Sequence, residues 1–368
     1  MLSRGQVLAY RVAAQELRRD GQAPQRLAVL DIGIQDGGTD GARHAMDARL
    51  AQAPPPDVVG PDADLALVWS LRGAPYVHRR RDLDPLAAAL VPLSEADAAG
   101  RLNETGPSVA RAGISALDQY ATAVREMRAV VRRPTAKGAA STAVTQRLPP
   151  AMRHPCRACG TSHISDSAMR VASLAAGLEL QPGTAPPVLQ PRAGAAVAPA
   201  PDPEALRLLV RGYLALLGPA TPRQVADYLD VRGADLTPLW PDDLVAVSVE
   251  GTRAWLPEGA VAAAQRAPEP DVVRLLNPFD PWLQARDRDL IVPDRAHHKA
   301  LWPVLGRPGA VLADGEIAGT WRTRTSGRAL TITVEPFWPL DPRVRRAIEA
   351  EAERVATVRG ATSVTVRW

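Results

Sequence analysis

GPATPRQVADYL, residues 218–229, is the stretch of the sequence that decides the fold. The pair Gly218-Pro219 ends an apolar helical stripe, because proline cannot continue a helix. Directly afterwards, Thr221 and Gln224 have the spacing of a capping box, with a proline in the first turn. The stretch therefore predicts a helix that begins at this box and turns three residues towards the core, Val225, Ala226 and Leu229.

Helices and strands on both sides of this stretch complete one unit. Before it, apolar residues recur at helical spacing, namely Leu206, Leu209, Val210, Tyr213, Leu214 and Leu217. After it, residues 236–240 predict a short third helix, and residues 244–249 and 253–256 predict two strands joined by a turn. Three helices followed by a two-stranded wing is the order of a winged helix, which is a DNA-binding fold.

The same order can be traced twice more towards the N-terminus. Residues 1–95 contain helices, then strands, then a helix, and residues 111–195 open with an amphipathic helix. A stretch rich in proline and alanine, residues 182–204, is interpreted as a connector before the third unit. We therefore expect three tandem winged-helix units, with the boundaries 1–105, 106–195 and 196–258.

The last part of the chain, residues 259–368, has a different pattern. An Asp-Gly turn joins two strand-like runs within residues 311–324, and residues 329–335 alternate apolar with polar side chains. A helix near residues 342–357 and a final strand follow. The fold class is thus predicted as α+β, with three winged helices followed by a small antiparallel β-barrel-like C-terminal module.

The composition is that of a globular protein. Of 368 residues, 46% are hydrophobic and 23% are charged, and the formal net charge of +4 is too small to identify a polyanionic partner. The sequence contains no apolar run of about eighteen residues, and its N-terminus lacks the pattern of a secretory signal. We expect a cytoplasmic location and no cofactor.

Basic side chains are concentrated in two places. Residues 111–157 hold nine basic against two acidic side chains, and an arginine triplet occupies residues 79–81. Such clusters suit contacts to phosphates, although a solvated helix face gives the same pattern. The candidate DNA-binding residues are Arg72, Arg79, Arg80, Arg81, Arg128, Arg132, Arg133 and Lys137.

Several stretches taken together resemble one protein family. They are LDIGIQDGG before an alanine-rich helix, SLRGAPYVHRR, GPATPRQVADYL, RLLNPFDPWLQARDRDLIVPD and HHKALWPVLGRPGAVLADGEIAGTWR. Over most of the chain, the sequence resembles the bacterial winged-helix DNA glycosylase superfamily of AlkZ and YcaQ relatives. The resemblance implies tandem winged helices that form a concave surface and act on alkylated purines or interstrand crosslinks in duplex DNA.

The resemblance also points to two catalytic residues in the glycine-rich loop. Characterised members carry Gln-x-Gln or Gln-x-Asp there, with an apolar middle residue. Gln35 matches the first position, whereas the middle position is Asp36 and the third is Gly37, which has no side chain. Gln35 and Asp36 are therefore the candidate catalytic pair, with Asp36 in place of the missing group.

The chemistry explains why such a pair would be needed. An alkylated purine already carries positive charge and leaves easily, so the remaining task is to activate a water molecule. The Gln35 carboxamide can hold that water, and the Asp36 carboxylate can accept its proton or stabilise the oxocarbenium-like sugar. The structural alternative is a turn at Asp36-Gly37, with Gln35 bonded to backbone groups and Thr39 or Asp40 capping the next helix.

Both cysteines of the chain lie in HPCRACGTSH, residues 154–163. Cys156, Cys159 and His163, with His154 as a further group, have a spacing similar to that of a zinc knuckle, but this is only half of a usual site. Two free thiols or a redox pair are the alternatives, and no metal is assigned.

Three functions are compatible with these patterns. The first is an alkylpurine DNA glycosylase, and the second is a non-catalytic DNA-binding protein of the same architecture, which the departure at Gly37 favours. The third is a winged helix that serves protein contacts, against which the basic clusters argue. Duplex DNA, alkylated or crosslinked, is the expected partner.

Overall fold

A computed structural model describes residues 1–38, 40–158 and 160–368 of the chain. Its α-helices are α1 (Arg4–Ala14), α2 (Gly41–Asp47), α3 (Leu83–Ala89), α4 (Glu95–Arg101), α5 (Gly106–Arg111), α6 (Ala116–Val130), α7 (Lys137–Arg147), α8 (Asp166–Ser173), α9 (Pro203–Leu217), α10 (Pro222–Leu229), α11 (Gly233–Leu236), α12 (Glu258–Arg266), α13 (Arg288–Ile291), α14 (His298–Leu301) and α15 (Pro342–Val358). Its strands are β1 (Ile34–Gln35), β2 (Leu65–Trp69), β3 (Pro75–Arg79), β4 (Thr135–Ala136), β5 (Arg153–Cys156), β6 (Thr161–Ile164), β7 (Leu178–Leu180), β8 (Val188–Pro191), β9 (Leu244–Val249), β10 (Thr252–Pro257), β11 (Val273–Leu276), β12 (Gly309–Ala313), β13 (Glu316–Ser326), β14 (Ala329–Pro336) and β15 (Ser363–Arg367).

The chain divides into two compact units. The first unit contains Met1–Val58, Arg211–Val225 and Pro241–Trp368, and the second contains Val59–Val210 and Ala226–Trp240. The division into four segments that end at residues 105, 195 and 258 stays a prediction. Among the described residues, none of the helices has both the length and the apolar character that crossing a bilayer requires.

Residues 218–229 fold locally as their sequence predicts. The Thr221 backbone N–H donates to Gln224 Oε1 (2.8 Å), and the Gln224 N–H donates to Thr221 Oγ1 (3.3 Å), so the capping box at the start of α10 is confirmed. Helices α9, α10 and α11 precede the antiparallel pair of β9 and β10, in which Val249 is opposite Thr252. The order of elements is that of a winged helix, while the number of such units stays a prediction.

The C-terminal part of the first unit is a curled half-barrel of five strands. The strands are ordered β11-β12-β13-β14-β15, and the two-residue turn between β12 and β13 has positive φ at Asp314 and Gly315, as an Asp-Gly hairpin requires. In β14 the apolar positions Leu330, Ile332 and Val334 are buried, which confirms the predicted alternation.

The half-barrel is not wholly antiparallel, and the prediction was wrong on this point. Strand β15 pairs in parallel with β14, with Leu330 opposite Val364. Because parallel neighbours need a crossover connection, the long helix α15 lies between the two strands in sequence. Its apolar stripe of Val344, Ile348 and Ala352 is buried in the same core as β14.

A sheet in the second unit runs in the order β3-β2-β7-β8-β4. Strands β2 and β3 are the strands predicted within residues 1–95, and they pair in antiparallel orientation. The predicted connector at residues 182–204 is wrong in part, because it contains β8, which pairs with both β7 and β4. The strand forms because Leu189, although it lies in a stretch with many prolines, is fully buried between these neighbours.

Candidate active site and DNA-contacting residues

The glycine-rich loop, residues 35–38, begins at the last residue of β1 and leads towards α2 in the first unit. Gln35 and Asp36 are both half-buried. The Ala42 backbone N–H donates to Asp36 Oδ1 (2.9 Å), so Asp36 caps α2 from several residues away. Asp40 has a left-handed backbone (φ 59°) and makes no side-chain cap. The alternative in which Asp40 caps the helix was therefore wrong, and Thr39 lies outside the described residues.

Asp36 carries the electrostatic signature of a candidate general base. Burial raises the pKa of its carboxyl above the ordinary value, the hydrogen bond from Ala42 N–H lowers it, and the nearby charge of Asp40 raises it. The net effect is a raised pKa. The proton affinity of this carboxylate is thus shifted towards the range in which a base works efficiently.

Phe279 explains the missing side chain at the third position of the motif. A Cβ at Gly37 would lie 2.6 Å from Phe279 Cε2 and 2.9 Å from its Cγ, which is well inside van der Waals contact. The aromatic ring therefore occupies the space that a glutamine or aspartate would need. Sequence reasoning missed Phe279, since nothing local in the sequence pairs it with a residue more than two hundred positions away.

The segment that carries Phe279 is anchored to α2 and to the residues that follow it. Asn277 Nδ2 donates to the Gly41 carbonyl (3.0 Å) at the start of α2. Asp280 forms a bidentate ion pair with Arg49, in which both N–O distances are 2.9 Å and both side chains are fully buried. Arg49 also donates to the Gln15 side chain (3.0 Å). These contacts hold Phe279 and the 35–38 loop in one fixed arrangement.

Cationic side chains of the first unit lie near this loop. The Arg307 guanidinium lies over the Phe279 ring, 5.5 Å from its centroid. Arg359 donates to Thr323 Oγ1 (2.7 Å); burial lowers its pKa, whereas the charge of Asp40 raises it. Sequence reasoning missed both arginines, because they are scattered singly along the chain and form no run of charge.

His44 lies on α2 but is not suited to acid-base work. Its ring is buried and meets the Trp321 indole edge to face, with the centroids 5.4 Å apart. Burial, followed by the charge of Arg359, lowers the pKa of His44 to about 4. The imidazole is therefore neutral and packed in the core at neutral pH.

Arg72, Arg79 and Arg80 are held by protein groups of the second unit. Arg72 donates to the Tyr76 hydroxyl, and its guanidinium lies 4.9 Å from the centroid of the Tyr228 ring. Arg79 is buried. Arg80 pairs with Glu179 (2.7 Å) and donates to the Ala63 carbonyl (2.9 Å). The fold thus uses at least Arg72 and Arg80 as structural groups.

The remaining predicted DNA-contacting residues differ in exposure. The side chain of Arg81 is 77% exposed, and Arg132 and Arg133 are exposed after α6. Arg128 is half-buried, and its Nη1 lies against Gly177 without a hydrogen-bond partner among the described residues. Lys137 pairs with Asp166. The three exposed arginines are the predicted residues best placed to meet a phosphate.

The cysteine-containing stretch forms a hairpin of β5 and β6. His154 and His163 are directly opposite each other, with ring centroids 6.3 Å apart. His163 Nδ1 lies 2.6 Å from the Ile164 carbonyl, which raises its pKa. Cys159 lies outside the described residues, and the residues that are described contain no group of three His, Cys, Asp or Glu side chains that could hold a metal. A zinc site that includes Cys159 stays an untested interpretation.

Comparison with known proteins gives two matches. The family model described as DNA glycosylase AlkZ-like matches residues 25–358. The solved structure of the Streptomyces sahachiroi DNA glycosylase AlkZ superposes with a TM-score of 0.77 and 20% sequence identity over 99% of each chain, a likeness of fold. No curated protein sequence matches the chain. Because the family model covers nearly the whole sequence, the chain belongs to the AlkZ-like DNA glycosylase family.

Proposed function

We propose that the protein hydrolyses the N-glycosidic bond of N7- or N3-alkylated or crosslinked purines in duplex DNA. Membership of the family supports DNA glycosylase function in general and DNA as the substrate. The observation that carries the finer proposal is the half-buried Asp36 carboxylate, whose pKa is raised and which directly follows Gln35. The DNA-contacting role of the exposed arginines and the three winged-helix units belong to the same proposal.

In the proposed reaction, water adds to C1′ of the deoxyribose as the bond to the purine nitrogen breaks. The bonding electrons leave with the base, which its alkyl group has already made cationic. Gln35 positions the water, and Asp36 accepts its proton through the oxygen that does not cap α2. The products are the free alkylated base and an abasic site.

Loss of either side chain should slow base release. With duplex DNA containing N7-methylguanine, and in parallel a bulkier N7 adduct, Gln35→Ala and Asp36→Asn should each lower the single-turnover rate at least about tenfold, as removal of a general base does. Asp40→Asn, assayed at a pH well above the pKa of Asp36, is the matched control, because it removes a neighbouring carboxylate of the same segment. Unchanged rates in Gln35→Ala and Asp36→Asn would remove both residues from the mechanism.

A pair of variants separates the two roles of Asp36. Asparagine retains an oxygen that can accept from the Ala42 N–H, so Asp36→Asn should keep the cap of α2. Asp36→Ala removes the cap as well and should cost about 0.5–2 kcal/mol of unfolding free energy. If both variants lose activity but only Asp36→Ala loses stability, the loss of activity in Asp36→Asn reports on chemistry and not on folding.

A non-catalytic DNA-binding protein is the second candidate function. It is favoured by Gly37, which supplies no side chain, and by the structural use of Asp36 Oδ1 as a helix cap. Under this hypothesis, the wild-type protein binds duplex DNA with a steep salt dependence but releases no base from simple or bulky adducts. A screen of adducted duplexes for base loss decides between the two functions.

A further inference from the structure

Two large aliphatic side chains project from the turn formed by residues 303–308 in the first unit. Val304 is 98% exposed and Leu305 is 86% exposed. Burying such a side chain is worth about 1.5–3 kcal/mol, so scattered single cases are common but an adjacent pair in nearly full contact with water is unusual. The pair is therefore a candidate for contact with a ligand.

The turn is braced, so the pair is held outward by the backbone. Pro303 and Pro308 are its first and last residues, and proline restricts the backbone at both positions. Arg322 Nη1 donates to the Gly306 carbonyl (2.8 Å), which ties the turn to β13. A turn that is ordered before it binds loses little conformational entropy when its apolar tip enters another surface.

The turn is also linked to the 35–38 loop, through Phe279. Arg307 belongs to the turn, and its guanidinium lies over the Phe279 ring, which packs against Gly37. Leu305 is two residues from Arg307, so their Cα atoms are at most about 7 Å apart. The apolar tip is thus connected to the candidate catalytic loop through Arg307 and Phe279, and the Arg322 guanidinium contacts the same turn at Gly306.

We propose that Val304 and Leu305 form a wedge that inserts into the base stack of duplex DNA beside the damaged nucleotide. Apolar wedges enter the stack between base steps when flanking cationic groups hold the phosphates, and the unstacked bases bury the exposed aliphatic surface. The inference rests on the proposed function, since it requires the DNA to lie across the 35–38 loop. The wedge weakens stacking of the damaged nucleotide and thereby lets Gln35 and Asp36 reach its sugar.

The test uses a duplex that carries a tetrahydrofuran abasic analogue next to 2-aminopurine, whose fluorescence rises when it is unstacked. Binding of the wild-type protein should raise the fluorescence. The double variant Val304→Ser/Leu305→Ser should lose most of this rise and bind the abasic duplex about tenfold more weakly, while its affinity for intact duplex changes less than about twofold. Leu208→Ser, which alters an exposed leucine of the second unit, is the matched control.

Two results would overturn the wedge, namely no fluorescence rise with saturating wild-type protein, or an equal rise with the double variant. Failure of the proposed function gives a different result, because Asp36→Asn should keep the full fluorescence rise while it loses base release. A wild-type protein that raises the fluorescence but releases no base from any adduct would refute the glycosylase and support the wedge.

Discussion

The 35–38 loop of the first unit and the arginine triplet at residues 79–81 of the second unit both stood out in the sequence, and the fold treats them differently. In the loop, one oxygen of Asp36 is bound to the backbone and the carboxylate stays half-buried with a raised pKa. In the triplet, Arg79 is buried, Arg80 is paired with Glu179, and Arg81 alone is largely exposed. A charged side chain is available to a ligand only where it is neither buried nor already paired with other groups of the protein.

The largest expected effect tests the support of the loop. Asp280→Ala leaves the Arg49 guanidinium buried without its counter-charge, so the unfolding free energy measured in urea should fall by about 3–5 kcal/mol. Asp40→Ala removes the partner of a partly exposed pair with Arg43 and should change stability by less than about 1 kcal/mol. Equal losses in the two variants would mean that the buried pair does not hold the segment of Phe279 in place.

The next effect tests the close contact beneath the loop. Gly37→Ala should cost about 1–3 kcal/mol of unfolding free energy, because its Cβ overlaps the Phe279 ring. Adding Phe279→Ala frees the space, so the double variant should be less destabilised than the sum of the two single variants. A thermodynamic cycle of thermal unfolding measures this coupling, and strict additivity would show that the ring does not press on Gly37.

The pH profile tests whether the Asp36 carboxylate is the base. A base works when deprotonated, so base release should fall as the pH drops through the raised pKa of Asp36, at a higher pH than for an ordinary aspartate. Asp40→Asn removes a charge that raises this pKa and should move the acidic limb to lower pH. An acidic limb that persists unchanged in the residual activity of Asp36→Asn would assign it to another group.

Stability should respond to pH in a related way. Because the folded protein holds the Asp36 proton more tightly than the unfolded chain does, the contribution of this group to stability decreases as the pH rises through the window between the two pKa values. Asp36→Asn should remove that decrease. Urea unfolding of both proteins across the window measures the difference without reference to catalysis.

The smallest effect lies within the arginine triplet. Arg81→Glu should weaken binding to duplex DNA several-fold and lower the salt slope by about 0.9 for each phosphate that the protein no longer neutralises. Arg80→Ala should instead lower stability, through Glu179, and leave the salt slope unchanged. Filter binding across a salt series distinguishes the DNA-contacting role of Arg81 from the structural role of Arg80. A salt slope that changes only in Arg80→Ala would show that Arg80, and not Arg81, contacts a phosphate.

Features that depend on neighbours in sequence were predictable. The capping box of Thr221 and Gln224, the Asp-Gly turn after β12 and the alternation in β14 are local patterns with a direct physical cause, and each is present. The resemblance also identified the family and drew attention to Gln35 and Asp36. The contact between Gly37 and Phe279 could not be derived, because no local pattern shows which distant ring fills the space at Gly37.

Features that depend on distant partners were the ones missed. Strand β15 is parallel to β14 because α15 forms a crossover connection between them. The alternation of apolar residues in a strand does not indicate the direction in which that strand pairs. Likewise, the partner of Arg80 is Glu179, a single acidic residue almost a hundred positions further along, so a count of local charge could not remove Arg80 from the basic cluster. The aliphatic pair Val304 and Leu305 could be identified only from the folded structure, because the exposed fraction of a side chain depends on its distant neighbours.

The anchoring of the loop has a consequence for how the protein is made. Asn277 and Gly41 are separated by 236 positions, and Arg49 and Asp280 by 231. A ribosome that has synthesised the first half of the polypeptide has delivered Gln35, Asp36 and Arg49 but not Asn277, Phe279 or Asp280, which complete the anchoring of the loop. The arrangement of the 35–38 loop is therefore completed late in translation, and a product truncated before Asn277 would carry Gln35 and Asp36 without the segment that anchors their loop.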